Sequence, residues 1–294
     1  MKSKILVTGA DGQLGMCIKE TATRYGNYEF LFTDVAQLDI TDRGAVRAYL
    51  EAEKPAWVIN AAAYTDVDIA EKNPERAFLL NATAAGLLAE EGFGVGASIV
   101  HISTDYVFAG DRHTFLTEES TVTPLSVYGK SKLEGERLVA AANPRHFIIR
   151  TSWMYSKYGR NFVKTMRELG ATGKEVRVVA DQWGSPTSGL DLAGAIMTVV
   201  ASADGNPGKE QPYGLYHYAN EGSTCWADFA QVVMDFSGLD CSVTGITTGE
   251  YPSDVPRPAF SVLDKSKFGK TFKTNIPEWE DSLEKVIESL EAAE

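Results

Sequence analysis

Lys4-Ile5-Leu6-Val7-Thr8-Gly9-Ala10-Asp11-Gly12-Gln13-Leu14-Gly15 begins with an apolar run and continues with a glycine at every third position. Ile5-Leu6-Val7 has the length and composition of a short buried strand, and Leu14, Met16 and Ile18 start a helical spacing. A glycine at the strand end permits a tight turn. The middle one lets backbone approach a pyrophosphate, and the third lets helix and strand pack closely. The helix N-terminus then faces the phosphates. Strand, glycine turn and helix in this order predict the first unit of a dinucleotide-binding α/β sheet.

Working outward, Glu29-Phe30-Leu31-Phe32-Thr33-Asp34 is the second strand, ending in a carboxylate about 20 residues beyond the turn. An acid there accepts from adenosine ribose hydroxyls and repels a 2′-phosphate, so Asp34 leans toward NADH without excluding NADPH. It would equally serve as a turn residue. Thr41 or Asp42 caps a helix that runs to about Glu53, before Pro55. Trp57-Val58-Ile59-Asn60 is the next buried strand and runs into Ala61-Ala62-Ala63-Tyr64-Thr65. Such small residues suit either close backbone approach to a ligand or tight helix–sheet packing.

A helix is predicted from Glu75, after Pro74, to about Glu91. Ser98 to Ser103 is a strand that delivers Thr104-Asp105-Tyr106 at its carboxyl end, the end where ligands bind in open parallel sheets. A Thr104 hydroxyl there could hydrogen-bond a substrate carbonyl. Ser126 caps a helix bearing Tyr128 and, one turn on, Lys132. An ammonium beside the phenol is expected to lower its pKa from about 10 and make it a usable proton donor. The plainer alternative pairs Lys132 with Glu136 and leaves Tyr128 as a packed surface residue.

Beyond this helix, strands are expected at 147–150, 176–179, 215–218 and 241–246. Helices are expected from Gly159 to Leu169, Leu190 to Val200, Trp226 to Phe236 and Trp279 to Leu290, with a surface loop at 203–208. The alternation predicts a doubly wound parallel sheet, Rossmann-like, with a smaller mixed C-terminal substrate domain. The dinucleotide-binding domain is placed at 1–152 and about 175–220. The substrate domain takes about 153–174 and 221–294.

Composition narrows the partners. In 294 residues the formal charge of -12 argues against nucleic acid or an anionic membrane. Cys17, Cys225 and Cys241 are odd in number and widely spaced, which fits reduced thiols in the cytoplasm and no disulfide or metal framework. No apolar run approaches a membrane span, and the immediate first strand leaves no room for a signal peptide.

The glycine array, Asn60-Ala61-Ala62-Ala63, the hydroxyl residue ending a central strand and Tyr128-x-x-x-Lys132 resemble the extended short-chain dehydrogenase/reductase family. Within it, Asn60 to Asp68, Ser103 to Phe108, Arg150 to Trp153, Asn161 to Met166, Asp181 to Thr187 and Arg257-Pro258 are similar to the group that reduces dTDP-4-dehydro-L-rhamnose at C4. The resemblance implies NADPH or NADH along Gly9, Gly12, Gln13, Leu14 and Gly15, with Asp34 at the adenosine ribose and Asp39 and Ile40 near the adenine. Ala62, Ala63 and Thr65 would line phosphates and ribose. Tyr128 would donate the proton, Lys132 would hold the nicotinamide ribose and tune Tyr128, and Thr104 would hydrogen-bond the ketone. Trp153 would pack on the sugar and Asp105 accept from it.

Asn161, near a helix N-terminus, and Arg257 are candidates for the substrate diphosphate. They suit an N-cap and a surface ion pair equally well. Some members of the group hold Mg²⁺ between acidic residues at a dimer contact. Here Cys17 and Ser188-Gly189-Leu190-Asp191 supply a single acid, so no metal and a monomer or weak homodimer are expected. The rival readings are a sugar-nucleotide epimerase or dehydratase, and a non-catalytic partner resembling the methionine adenosyltransferase β subunit. Similar dehydratases carry glutamate where this chain has Tyr106, and the intact Thr104, Tyr128 and Lys132 argue for catalysis.

Overall fold

Alternate residues of the first strand decide the layering. Ile5 and Val7 enter one buried core while Leu6 enters another, because successive strand side chains point to opposite faces. A computed structural model describes residues 2–110, 113–205, 210–253 and 255–292. Its main sheet contains β1 (Ser3–Thr8), β2 (Tyr28–Thr33), β3 (Trp57–Asn60), β4 (Ser98–Thr104), β5 (His146–Thr151) and a later strand, Gly214–His217. All pairings are parallel, and the spatial order from one edge is β2, β1, β3, β4, β5, then Gly214–His217. The chain moves outward from β1 to β2 and then returns to the other side at β3. The crevice therefore opens above β1 and β3, where the order reverses.

Helices cover both faces. Into the Leu6 side pack α1 (Gln13–Ala22)'s counterparts α2 (Arg43–Glu53), α5 (Ala84–Gly94) and α6 (Val127–Ala142). Between α2 and α5 run the short α3 (Val67–Lys72) and α4 (Pro74–Phe78). The Ile5 side is covered by α1 and by two helices of the second half, Gly189–Asp204 and Ser266–Phe272.

One long helix was expected from 75 to 91. The chain instead forms α4, a π-helical turn at Leu79–Thr83, and α5. The cause is tertiary. Asn81 receives the Tyr64 N–H at 2.7 Å and donates to the Tyr64 carbonyl at 3.0 Å and to Ser131 Oγ at 2.9 Å. Its wider turn lets α6 approach closely, since a Cβ on Gly135 would collide with the Asn81 carbonyl oxygen.

The second half builds a smaller core. After β6 (Met154–Tyr155) come α7 (Phe162–Gly170), β7 (Val176–Val179), β8 (Trp183–Gly184) and β9 (Thr187–Ser188). Then follow α8 (Gly189–Asp204), β10 (Gly214–His217), β11 (Thr224–Cys225) and α9 (Trp226–Phe236). β12 (Val243–Ile246), α10 (Ser266–Phe272) and α11 (Trp279–Glu291) complete the described elements. Phe229, Met234, Trp279, Leu283 and Ile287 centre this core.

Two boundaries differ from expectation. β7, assigned by sequence to the first domain, pairs in parallel with β12 and joins the smaller core. Conversely, α10 lies in the C-terminal stretch yet sends Phe268 and Phe272 into the main core. Both strands of the β7–β12 pair are too short for periodicity to reveal a partner. Of the expected loop at 203–208, Ala203 and Asp204 end α8, Gly205 is a turn, and 206–208 lie outside the described residues.

Candidate active site

The glycine turn earns its residues by contact. Gly9 has φ +66°, and a Cβ on it would lie 2.7 Å from the Ala62 backbone. A Cβ on Gly15 would strike the Gly9 oxygen, so this glycine packs α1 against the turn and stays outside the cavity lining. Gly12 is the N-cap of α1 and no side chain caps that end. The first-turn N–H groups of Gln13 and Leu14 thus present uncapped positive charge to the crevice.

A cavity of about 770 Å³ runs from this turn across the carboxyl ends of the strands. Gly9, Gly12, Gln13, Leu14, Asp34, Asp39, Ile40, Ala62, Ala63 and Thr65 line one end. Thr104, Asp105, Tyr128, Lys132 and Trp153 line the other. Asp34 accepts from the Asp11 N–H at 3.0 Å and the Val35 N–H at 2.8 Å. Its carboxylate therefore orders the rim of the turn as well as facing the cavity. The dimensions, the uncapped helix end and the small residues fit a dinucleotide.

At the reactive end, Ser126 caps α6 by accepting from the Gly129 N–H at 3.1 Å. Tyr128 stands on the first turn, edge-on to Tyr106 with ring centroids 5.6 Å apart, and its hydroxyl meets that of Thr104. Gly129 keeps the helix start against the turn that follows β4, since a Cβ there would collide with the Tyr106 oxygen. Lys132 is buried and donates to the Ile102 carbonyl at 2.5 Å. Thr104 donates to Asp105 Oδ1 at 3.1 Å and accepts from the Tyr106 N–H at 3.2 Å.

The electrostatics correct one expectation. Burial pushes the Tyr128 phenol well above the usual tyrosine range, opposed by the Thr104 hydroxyl and reinforced by the Asp105 charge. Lys132 bonds a carbonyl rather than the phenol, and burial pulls its ammonium down to about 8. Desolvation outweighs attraction, so the pair is not pre-acidified as the spacing suggested. Asp105, also buried, is pushed up to about 6 by desolvation, and its Oδ2 has no hydrogen-bond partner. A phenol that holds its proton is still a competent donor once negative charge develops on an adjacent oxygen.

Trp153 adopts φ +47°, a strained value for a bulky residue, and leans on Gly184, where a Cβ would lie 2.5 Å from the indole. Trp226 stacks on it with centroids 3.5 Å apart and planes at 11°. Sequence reasoning missed Trp226 as a cavity residue, because nothing in the spacing of two tryptophans so far apart shows that they meet. Arg76 and Tyr106 also line the cavity without having been given roles.

Besides Gly15, two candidates lie outside the lining. Asn161 caps α7 through the Lys164 N–H at 3.2 Å and donates to the Ser156 carbonyl at 2.7 Å, so its amide is spent on its own segment. Arg257 pairs with Asp68 at 2.9 Å, donates to Ser253 at 3.2 Å and reaches the Tyr106 hydroxyl. Among the described residues no group of three or more His, Cys, Asp or Glu could hold a metal, and no helix is long and apolar enough to cross a membrane.

With this geometry in place, the model of the RmlD substrate binding domain family matches residues 3–292. The chain belongs to that family. It is 39% identical over 291 residues to the dTDP-4-dehydrorhamnose reductase of Sinorhizobium fredii, covering 98% of this chain and 97% of that protein. Among solved structures, a dTDP-4-dehydrorhamnose reductase from Clostridium acetobutylicum is 42% identical with a TM-score of 0.92, covering 98% and 99% of the two chains. One from Bacillus anthracis, in complex with NADP, is 37% identical with a TM-score of 0.93, covering 98% and 100%. These family members share the Rossmann-like parallel sheet described above.

Proposed function

We propose that this chain is an NAD(P)H-dependent oxidoreductase that reduces the C4 ketone of dTDP-4-dehydro-L-rhamnose to dTDP-L-rhamnose. The observation that carries the reading is one cavity holding the uncapped glycine turn at one end and Thr104, Tyr128 and Lys132 at the other. Gly9, Gly12, Gln13, Leu14, Asp34, Asp39, Ile40, Ala62, Ala63, Thr65 and Lys132 would hold the nicotinamide cofactor, with Gly15 supporting the turn from behind. When bound, that cofactor supplies the hydride.

Thr104, exchanging its bond to Asp105, directs its hydroxyl proton at the ketone oxygen and fixes its orientation. As negative charge builds on that oxygen, Tyr128 delivers its proton there and becomes a phenolate. The Lys132 ammonium stabilises this phenolate. Asp105, with one oxygen unpartnered, accepts from a sugar hydroxyl, and Trp153 offers an indole face to the sugar ring. Arg257 remains a candidate for the diphosphate through exchange of its Asp68 partner, whereas the spent amide of Asn161 weighs against an equal part.

The two cores support a division into a cofactor lobe and a substrate lobe that meet at the cavity. Three free, buried cysteines fit a cytoplasmic enzyme, and the charge of -12 fits neither nucleic acid nor an anionic membrane as partner. Cys17 lies buried against Gly189 instead of offering an acid for an intersubunit cation, in keeping with a monomer or weak homodimer.

The test is oxidation of NADH and NADPH by dTDP-4-dehydro-L-rhamnose, with sugar product formed in equal amount. Tyr128→Phe should lower kcat by about 10²–10⁴-fold with little change in cofactor affinity. Inactivity of the wild type with both cofactors, or full activity of the variant, would end the proposal.

A further inference from the structure

Thr104 ends β4, Tyr128 and Lys132 stand on α6 and Trp153 follows β5, and one buried ionic junction ties those three elements together. Glu136, one turn beyond Lys132 on α6, accepts from Ser103 Oγ on β4 at 2.5 Å. It also receives Arg150 of β5 through Nε at 2.8 Å and Nη2 at 2.7 Å. All three residues are buried, and the Arg150 guanidinium lies over the Phe108 ring at 5.1 Å. Ser103 directly precedes Thr104, and Arg150 lies three residues before Trp153. The end of β4 is thus pinned at consecutive positions: Ile102 by Lys132, Ser103 by Glu136, and Thr104 beneath Tyr128.

Lys132 makes no ion pair among the described residues, its one close partner being the neutral Ile102 carbonyl. The titratable groups bearing on it are Glu136, one turn on along α6, and His101 on β4. His101 is held neutral by burial and hydrogen-bonded to Asn60 at 3.1 Å. Glu136 is the carboxylate whose attraction opposes the desolvation of the Lys132 ammonium. A bidentate arginine alone would lock the strands. The carboxylate one turn from the lysine adds a second consequence.

We propose that Glu136 is a positioning residue for the reaction, holding α6, β4 and β5 in catalytic register through Ser103 and Arg150 while its carboxylate keeps Lys132 charged. The inference rests on the reductase reading, but its primary test does not need turnover. Lysine labelled with ¹³C at Cε is titrated by NMR in wild type, Glu136→Gln and Arg150→Met, with Lys132→Met assigning the signal. The Lys132 midpoint should fall by about one unit in Glu136→Gln and should not fall in Arg150→Met.

The alkaline limb of kcat should follow the same order. Equal midpoints in the two variants, or a midpoint unmoved by Glu136→Gln, would overturn the proposal and leave a junction that only packs. Should Glu136→Gln not fold, Glu136→Gln/Arg150→Met is compared with Arg150→Met, the two differing only in the Glu136 charge. A lowered Lys132 midpoint supports the role and an unchanged one overturns it. An inactive wild type with these shifts intact would instead count against the reductase reading alone.

Discussion

At the scale of single residues, the site concentrates groups whose charged forms are disfavoured. Asp105 is 2% exposed, one of its oxygens lacks a partner, and burial pushes its carboxyl up to about 6. Below the unfolded value near 3.8 both states carry the proton, so there is no penalty. As pH rises toward 6 the unfolded chain ionises first, and stability falls until the native group also ionises. Asp105→Asn should therefore be more stable than wild type by about 3 kcal/mol at pH 8, converging below pH 3.8, in urea titrations. It should also raise KM for the keto sugar, because an amide replaces an acceptor. Lys132 gives the complementary limb: with its ammonium at about 8, kcat should fall as pH rises through that value. Sequence alone showed Tyr128 and Lys132 on one helical face, but it could not show that burial would dominate their protonation.

Elements translate these residues into geometry through close contacts. β8 holds Gly184 against the Trp153 indole, with no room for a methyl group. Gly184→Ala should displace Trp153, raising KM for the sugar nucleotide several-fold while the KM for NADPH stays within error. Steady-state kinetics with each substrate varied in turn would show it, and a matched rise in both would remove the indole from the sugar site. Gly135→Ala acts elsewhere, by prising α6 from the π turn at Asn81, and should cost about 1–3 kcal/mol as over-packing. The strands were readable because each is a short buried run ending in turn residues. The π turn was not, since an alanine- and leucine-rich stretch looks continuously helical until Asn81 meets Tyr64 and Ser131.

Across the whole molecule, two cores are joined near the N-terminus of α8. Asp191 Oδ2 accepts from Asn220 at 2.8 Å and from Ser282 of α11 at 2.5 Å, bridging a main-core helix to the smaller core. Asp191→Ala should loosen that bridge and split a single calorimetric unfolding transition into two, the smaller core melting first. One retained cooperative transition at lower temperature would show that the wider interface, not this junction, couples the cores. The layered architecture was legible from alternation of strands and helices. Which core each late strand joins was not, because β7 and β12 carry no mark of their pairing, and α10 returns to the main sheet from the far end of the chain. The candidate site was legible as residues in order along the chain, whereas the stacking of Trp226 on Trp153 and the bonds of Glu136 to Ser103 and Arg150 are contacts that only folding creates.

The stacked indoles of Trp153 and Trp226 also have an optical consequence. Two chromophores at 3.5 Å with planes at 11° share their excitation, so the pair should give a coupled circular-dichroism signal and a quenched emission. A sugar ring settling on Trp153 from the cavity would alter that coupling without any added label. On the proposed sugar site, the pair would serve as a spectroscopic gauge of substrate arrival, one that Trp226→Phe should silence.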